Sequence, residues 1–168
     1  LRDSLQAGSN VGLQYKISDS LTIGSGFGFQ SQIEDSASIF PLILLDWKIN
    51  DVLSLTTSPG AGASAGPGVA LRWDKSDTVR FSLGLSYDKS RFRLDKDNAA
   101  SPGGVGEDSG IPAYVTLTWK SSEHTQTSFI AGVKFANELR LEDSSGHSII
   151  KRDSDPAPFV GVNFGYTF

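Results

Sequence analysis

Few residues of this 168-residue chain are of the types that perform catalysis. It has no cysteine and only two histidines, His124 and His147. His147 precedes Ser148 and follows Glu142 and Asp143, so the residue types of a general base and a nucleophile lie close together in sequence. Adjacency in sequence gives no triad geometry, however, and an ordinary loop histidine is the favoured interpretation. We therefore predict no catalytic residue, no cofactor and no enzyme activity.

Two acidic segments hold carboxylates that could bind a metal ion. The first contains Asp95, Asp97, Glu107 and Asp108, and the second contains Glu142, Asp143, Asp153 and Asp155. Carboxylate oxygens suit Ca²⁺ and Mg²⁺, but the spacing is not that of an EF-hand. A solvated charged surface is the favoured interpretation, and no metal site is predicted. The glycine-rich residues 60–66 lack the GxGxxG spacing and are predicted to be a flexible loop.

A third set of charged residues alternates with apolar ones and is therefore predicted to share the polar face of a sheet. Its members are Lys16, Asp46, Lys48, Arg72, Arg80, Asp88, Lys120, Lys134, Glu138 and Arg140. If the strands enclose a wide interior, the excess of basic groups would form a constriction that selects anions. In a narrow interior the same residues would pair with acids such as Asp46 and Asp88, and this ion-paired interior is favoured.

The elements that carry these residues are predicted to be strands. Apolar residues recur at every second position in nine segments, and no long window has a helical period. In one of them, Val79, Phe81, Leu83 and Leu85 alternate with polar or small residues. Connections at about 18–20, 50–51, 74–78 and 121–125 are short, whereas those at about 31–38, 58–66, 95–110 and 142–157 are long. Short turns on one side and long loops on the other are typical of outer-membrane β-barrels.

The aromatic residues keep a common register with these turns. Five aromatic residues each precede a short turn or the C-terminus. All five lie on the apolar face, in strands that run in the same direction. They are Tyr15, Trp47, Trp73, Trp119 and Tyr166. Side by side they would form a girdle at one membrane interface, where amphipathic rings prefer to lie.

The composition limits the other possibilities. The net charge of −4 argues against a nucleic-acid partner. The longest apolar stretch, residues 39–45, contains a proline and is too short for a membrane-spanning helix. A soluble β-sandwich or lipocalin-like barrel with the apolar face as its core is the alternative. Many of the 18 glycines fall on the polar face, and neither these nor the alternating connection lengths are expected of a sandwich.

The last strand and three further segments carry a resemblance. In residues 158–168, the aromatic residues Phe164, Tyr166 and Phe168 lie on one face. This pattern resembles the C-terminal signal recognised by the outer-membrane assembly machinery. Residues 104–112, 138–146 and 153–161 resemble a family of proteobacterial outer-membrane β-barrel proteins of unknown function, a likeness that covers about residues 50–168. The resemblance implies the fold and the location and supplies no catalytic residue.

We therefore expect residues 1–168 to form one domain, an antiparallel up-and-down transmembrane β-barrel of the Gram-negative outer membrane with its C-terminus in the periplasm. About nine strands are visible, and an even number is required, so we expect the N-terminal part of a 10–12-stranded barrel to be missing. The expected partners are outer-membrane lipid, lipopolysaccharide and the assembly machinery; the oligomeric state is not predicted. The expected function is passive, porin-like permeation of small solutes. A structural or surface-interaction barrel with a blocked lumen is the alternative, and a lipid-modifying enzyme is a distant one.

Overall fold

The computed structural model describes residues 8–31, 37–57, 67–97 and 101–167. These residues form eleven β-strands, which confirms the all-β prediction. The strands are β1 Gly8–Lys16, β2 Leu21–Ser31, β3 Ala37–Lys48, β4 Leu53–Thr56, β5 Gly68–Asp74, β6 Val79–Ser86, β7 Asp88–Arg93, β8 Val105–Lys120, β9 Thr125–Glu142, β10 Ser148–Ser154 and β11 Ala157–Tyr166. Within this described part no helix is long and apolar enough to cross a membrane.

All eleven strands belong to one antiparallel sheet. β7 continues β6 along β8 in the same register, with Tyr87 between them. β10 and β11 pair with successive halves of β9 and are separated by Asp155 and Pro156. The described residues thus make nine antiparallel passes, and eleven strands are found because two of these passes are interrupted. Pro156 accounts for the second interruption, since proline has no N–H to donate to a ladder.

The sheet is open. Within the described ranges β1 pairs only with β2, and β11 pairs only with β9. Both of these edge strands run toward the side of the sheet that carries the short turns, so a direct pairing between them would be parallel. The predicted closed barrel is therefore not formed by these residues. They form an open antiparallel sheet in which each pass pairs with the passes before and after it in sequence.

The four short turns, residues 17–20, 49–52, 75–78 and 121–124, have the same construction. In each, the first two backbone N–H groups donate to the carbonyl oxygen of the residue that begins the next strand, as Lys75 and Ser76 do to Val79. The second turn residue also accepts a backbone hydrogen bond with its side chain, as Asn50 does from Leu53 at 2.8 Å. Side-chain acceptors of this kind favour turns over continued strand. We call this side of the sheet the short-turn edge and the opposite side the loop edge.

At the loop edge the structure corrects two predicted long connections. The stretches at about 95–110 and 142–157 contain the start of β8, the end of β9 and all of β10. The second connection is a tight turn over residues 143–147, in which Gly146 adopts a φ of 84°. These segments were predicted as loops because they are rich in charge and glycine, yet they pair as strands because Arg91 and Glu107, and likewise Glu107 and Arg140, lie opposite one another.

The burial of the sheet is the reverse of that in a soluble protein. The apolar face, which includes Leu83, Val115 and Val160, is exposed, with Val160 at 86%. The polar face contains the buried residues Thr116 and Ser128. Across the described residues, the buried hydrophobic positions are only Ala70, Val105 and Tyr114. No second sheet covers the apolar face in this part of the chain, so the core expected of a soluble β-sandwich is absent from it.

Candidate functional site

The polar face carries most of the charged residues predicted to share it. Directly paired residues of an antiparallel sheet lie on one face. The strand register therefore places eight of the ten together, and they are Lys16, Asp46, Lys48, Arg72, Arg80, Asp88, Lys120 and Lys134. One continuous row of paired residues crosses five passes as Lys48, Ser54, Arg72, Ser82 and Thr116.

The basic residues near the short-turn edge differ in their partners. Lys16 donates to Asp19 at 2.6 Å, and Arg80 donates to Asp74 on the neighbouring strand. No described carboxylate lies within 4.0 Å of the charged groups of Lys48, Arg72 or Lys120, and Asp46 forms no ion pair within that part of the chain either. We call Lys48, Arg72 and Lys120 the polar-face bases. Their charges are therefore available to a solute or to water.

Higher on the polar face, Lys134 bridges two carboxylates. Its ammonium nitrogen lies 3.0 Å from Asp108 and 3.7 Å from Asp88. The lysine side chain is 15% exposed, so this bridge is partly withdrawn from solvent. Asp88 was predicted to pair with a base in an ion-paired interior. At this height of the sheet it does contact a base, Lys134.

Glu138 and Arg140 do not lie on the polar face as predicted. The register between β8 and β9 shifts between Ser109 and Ile111, so Phe135 faces Ile111 whereas Glu138 faces Ser109. The extra residue is in β9, next to Ala136, which has a φ of 48°. A β-bulge of this kind reverses the facing of every residue beyond it. Glu138 and Arg140 therefore share the face of the lipophilic residues, and the prediction was wrong because alternation alone does not reveal a bulge.

Sequence reasoning also missed what fills the space above the polar-face glycines. Three of them lie directly opposite an aromatic residue whose ring covers the place where a Cβ would be. The pairs are Gly28 with Phe40, Gly84 with Tyr114, and Gly132 with Phe159. At these positions the rings therefore occupy the space beside each glycine. Phe40 was detectable, because Leu42 and Leu44 follow it at the same spacing on the polar side of β3.

The five predicted girdle residues all lie at the short-turn edge on the apolar face. Tyr15, Trp47, Trp73 and Trp119 are each the penultimate residue of a strand, and Tyr166 is the last of its strand. All five are exposed, Tyr15 most of all at 73%. Trp73 also stacks on Phe81, with ring centroids 5.5 Å apart. Of the predicted C-terminal signal, Phe164 and Tyr166 lie on this exposed face, and Phe168 lies outside the described residues.

Above the apolar residues the same face carries a cluster that sequence analysis did not identify. It consists of Lys89, Arg91, Glu107, Glu138, Arg140, Glu142 and Lys151, which we call the charged band. Arg91 lies between two glutamates and donates to both, at 3.0 Å for Glu107. Lys151 and Arg140 donate to Glu138 and hold its pKa below the ordinary value. The sequence signal was the run of alternating charges in residues 138–142, which only the bulge brings to this face.

The histidines have structural partners. Asp143 accepts hydrogen bonds from the backbone N–H groups of His147 and Ser145, and these bonds hold its pKa below the ordinary value. The same two hydrogen bonds shape the turn that contains His147. The His147 ring is 82% exposed and lies 3.6 Å from Asp143. The ring nitrogen Nδ1 of His124 donates to the carbonyl oxygen of Thr167, which ties Thr167 to a short turn.

The acidic segments do not assemble a metal site in the described part of the chain. No group of three or more potential ligands converges there. Glu107 and Glu142 are engaged by Arg91, and Asp108 by Lys134. Asp95 accepts the backbone N–H of Asp97. The glycine-rich residues 60–66 lie outside the described ranges.

Comparison with known proteins adds no assignment. No family model matches this chain, and no curated protein or solved structure is significantly similar to it. The resemblance to an outer-membrane β-barrel family therefore stays a prediction.

Proposed function

We propose that this chain forms the wall of a transmembrane β-barrel of the bacterial outer membrane, whose polar face lines a passive path for small anionic solutes. The observation that carries the proposal is the reversed burial, with large apolar side chains exposed on eight of the nine passes. In water such a face would be an aggregation hazard, whereas in lipid it is the favourable arrangement. Closure would need further backbone pairing at β1 and β11, as in a 10–12-stranded barrel, because lipid does not tolerate an open edge.

The height of the apolar face supports this placement. On the sixth pass it runs from Val79 to Tyr87 before Lys89 begins the charged band. Eight residue steps span ~27 Å along a strand, and a strand tilt of about 40° reduces this to ~21 Å. That height is close to the ~25 Å apolar band of outer-membrane barrels. A sheet whose apolar face packs against a second sheet has no physical reason to limit the height of that face to the thickness of a membrane.

The orientation follows from the girdle and the turns. The tryptophan and tyrosine residues at the short-turn edge would lie at the periplasmic interface, where outer-membrane barrels have their short turns. The C-terminus would then lie in the periplasm. Phe164 and Tyr166 on the exposed face of the last strand are presented where the barrel-assembly machinery could bind them.

Anion preference is supported by the polar-face bases. Lys48 and Arg72 lie in one cross-strand row with small hydroxyl side chains, and neither forms an ion pair with a described carboxylate. A ring of uncompensated positive charge attracts anions and repels cations. We therefore expect a measurable anion selectivity if the lumen conducts.

The test is conductance of the full-length protein in a planar bilayer under a salt gradient. The wild type should show a reversal potential of the sign that anion selectivity gives, and the Lys48→Glu/Arg72→Glu double variant should move it toward cation selectivity. Lys96→Glu, a substitution of an exposed residue at the loop edge, serves as the matched control and should leave the reversal potential unchanged. Absence of conductance by correctly inserted protein would overturn the channel, and unchanged selectivity would overturn the role of the two bases.

A second candidate is a structural or surface-interaction barrel with a blocked lumen. The observations that favour it are the rings of Phe40, Tyr114 and Phe159 on the polar face and the bridge from Lys134 to Asp88 and Asp108. Such groups fill an interior instead of lining a channel. Normal membrane insertion without conductance would select this candidate. Conductance that appears only in Tyr114→Ala would identify the ring as part of the block.

A further inference from the structure

Six of the seven residues of the charged band lie in two regular rows across the upper part of the sheet, and Glu142 lies in the next row toward the loop edge. Arg91, Glu107, Arg140 and Lys151 lie side by side on four successive passes, each directly paired with the next. The row below it contains Lys89 and Glu138. Both rows share a face with the apolar residues and begin where those residues end. A charged group at this height meets the headgroup region of a membrane if the apolar face meets its hydrocarbon.

Within the band, the bases are more exposed than the glutamates that they pair with. The side chains of Lys151, Lys89 and Arg140 are 56%, 38% and 33% exposed, whereas those of Glu107 and Glu142 are 4% and 10% exposed. Arg91, at 15%, is the internal link between the glutamates. The outermost layer of this face is therefore mainly basic, with Asp153 as an exposed acid among Lys89, Arg140 and Lys151. The charged band itself holds four bases and three acids, a net charge of one positive, and the addition of Arg93 and Asp153, which share this face, leaves that net charge unchanged.

Divalent cations offer a poorer explanation of the band. A bridging metal needs several free carboxylate oxygens, and Glu107, Glu138 and Glu142 already accept ion pairs from Arg91, Arg140 and Lys151. Among the described acids of this face, that leaves only the carboxylate of Asp153. Ammonium and guanidinium groups bind phosphate oxygens directly, with no metal between them. The chemistry of the exposed layer thus matches a phosphate group.

We propose that the charged band binds the phosphate groups of lipids in the outer leaflet, with Lys89, Arg140 and Lys151 as the contacting residues. This inference rests on the proposed membrane location of the apolar face. The glutamates hold the bases in place and prevent them from repelling one another, so the band remains folded when no lipid is bound. Arg91 is a positioning residue because it acts through the two buried glutamates.

The experiment uses the full-length protein in detergent and lipid A as the probe, in its bisphosphorylated and fully dephosphorylated forms. Bound lipid is counted by native mass spectrometry, with EDTA present. The wild type should retain the bisphosphorylated form preferentially. The Lys89→Gln/Lys151→Gln variant should bind it about 10- to 30-fold more weakly, since each base near a lipid surface contributes about a five-fold effect. Lys75→Gln, an exposed lysine in a short turn, is the matched control and should bind as the wild type does.

Equal retention of the dephosphorylated lipid, or an unchanged affinity in the double variant, would overturn the proposal. So would loss of lipid in EDTA, which would indicate a metal bridge, or displacement by an equal concentration of inorganic phosphate, which would indicate a site for free anions. Insertion into phosphatidylcholine vesicles is measured separately. Failure of the wild type to insert would refute the membrane location, whereas insertion without phosphate preference would refute the lipid site alone.

Discussion

The polar-face bases and the charged band contain the same basic residue types, but their partners differ. Lys48 and Arg72 are paired with serine residues on the neighbouring strands and Lys120 with Gln126, and no described carboxylate lies within 4.0 Å of the charged groups of these three bases. In the charged band each base instead meets at least one glutamate on a neighbouring strand or position. The first arrangement leaves charge for something that passes along the sheet. The second neutralises most of it internally and leaves a weakly positive outer layer that can hold something in place.

The difference also predicts where stability depends on charge. Buried carboxylates that lose their partner carry an uncompensated charge out of water, which is costly. Exposed bases without partners can be removed at little cost. Three measurements on the inserted protein would break or sharpen this contrast.

The largest effect is expected from Arg91→Ala. It leaves Glu107 and Glu142, at 4% and 10% exposure, with only their longer or more exposed contacts to Lys89 and Arg140. We expect the free energy of unfolding to fall by about 2–3 kcal/mol, somewhat below the full cost of breaking a buried pair because those contacts remain. Denaturant titration in lipid vesicles measures this, with Lys75→Ala as the control. A loss no greater than that of the control would show that the band contributes nothing to folding.

A smaller effect is expected from acid. Because the folded-state pKa of Glu138 is depressed, its contribution to stability is present above the unfolded pKa and is lost as the pH falls through the folded value. The melting temperature of the wild type should therefore decline below about pH 4.5, and Glu138→Gln should decline less over the same range. Asp143 has a depressed pKa and is present in both proteins, so only the difference between them reports on Glu138. Parallel declines would assign the acid sensitivity to other carboxylates.

The smallest effect on stability is expected from the polar-face bases. Lys48→Ala removes an exposed charge with no described partner, so the free energy of unfolding should change by no more than about 0.5 kcal/mol. The same variant should still weaken anion selectivity. A loss comparable to that of Arg91→Ala would show that Lys48 is structurally paired and that the two clusters do not differ as described.

Much of the sheet could be predicted from alternation alone. Residues such as Val79, Phe81 and Leu83 define their face without ambiguity, and the turn residues between strands fix the order of the passes. The position of the five girdle aromatics at the short-turn edge follows from the same counting. Alternation is a local property, and these features depend only on local structure.

The rest depends on pairing between strands and could not be read from one segment. The ring of Tyr114 over Gly84 requires knowing which residues are opposite each other. The extension of β9 and β10 beyond the apolar face consists of charged residues that match a turn-rich loop as well as a strand until their partners are known. The facing of Glu138 and Arg140 depends on one additional residue near Ala136, and period-2 counting carries the wrong phase past that point.

That additional residue sets the hydrophobic thickness of this part of the sheet. Counted without the bulge, Leu139 and Leu141 would continue the series of Phe129, Ala131, Val133 and Phe135, and the lipophilic surface would reach two positions higher. With the bulge they turn to the opposite side and Glu138 and Arg140 take their place. Deleting Ala136 would remove the bulge without reversing these residues, because Glu138 would then follow Phe135 at the spacing of two that keeps both on one face. One additional residue therefore ends the apolar face in the middle of a strand whose alternation alone would have extended it.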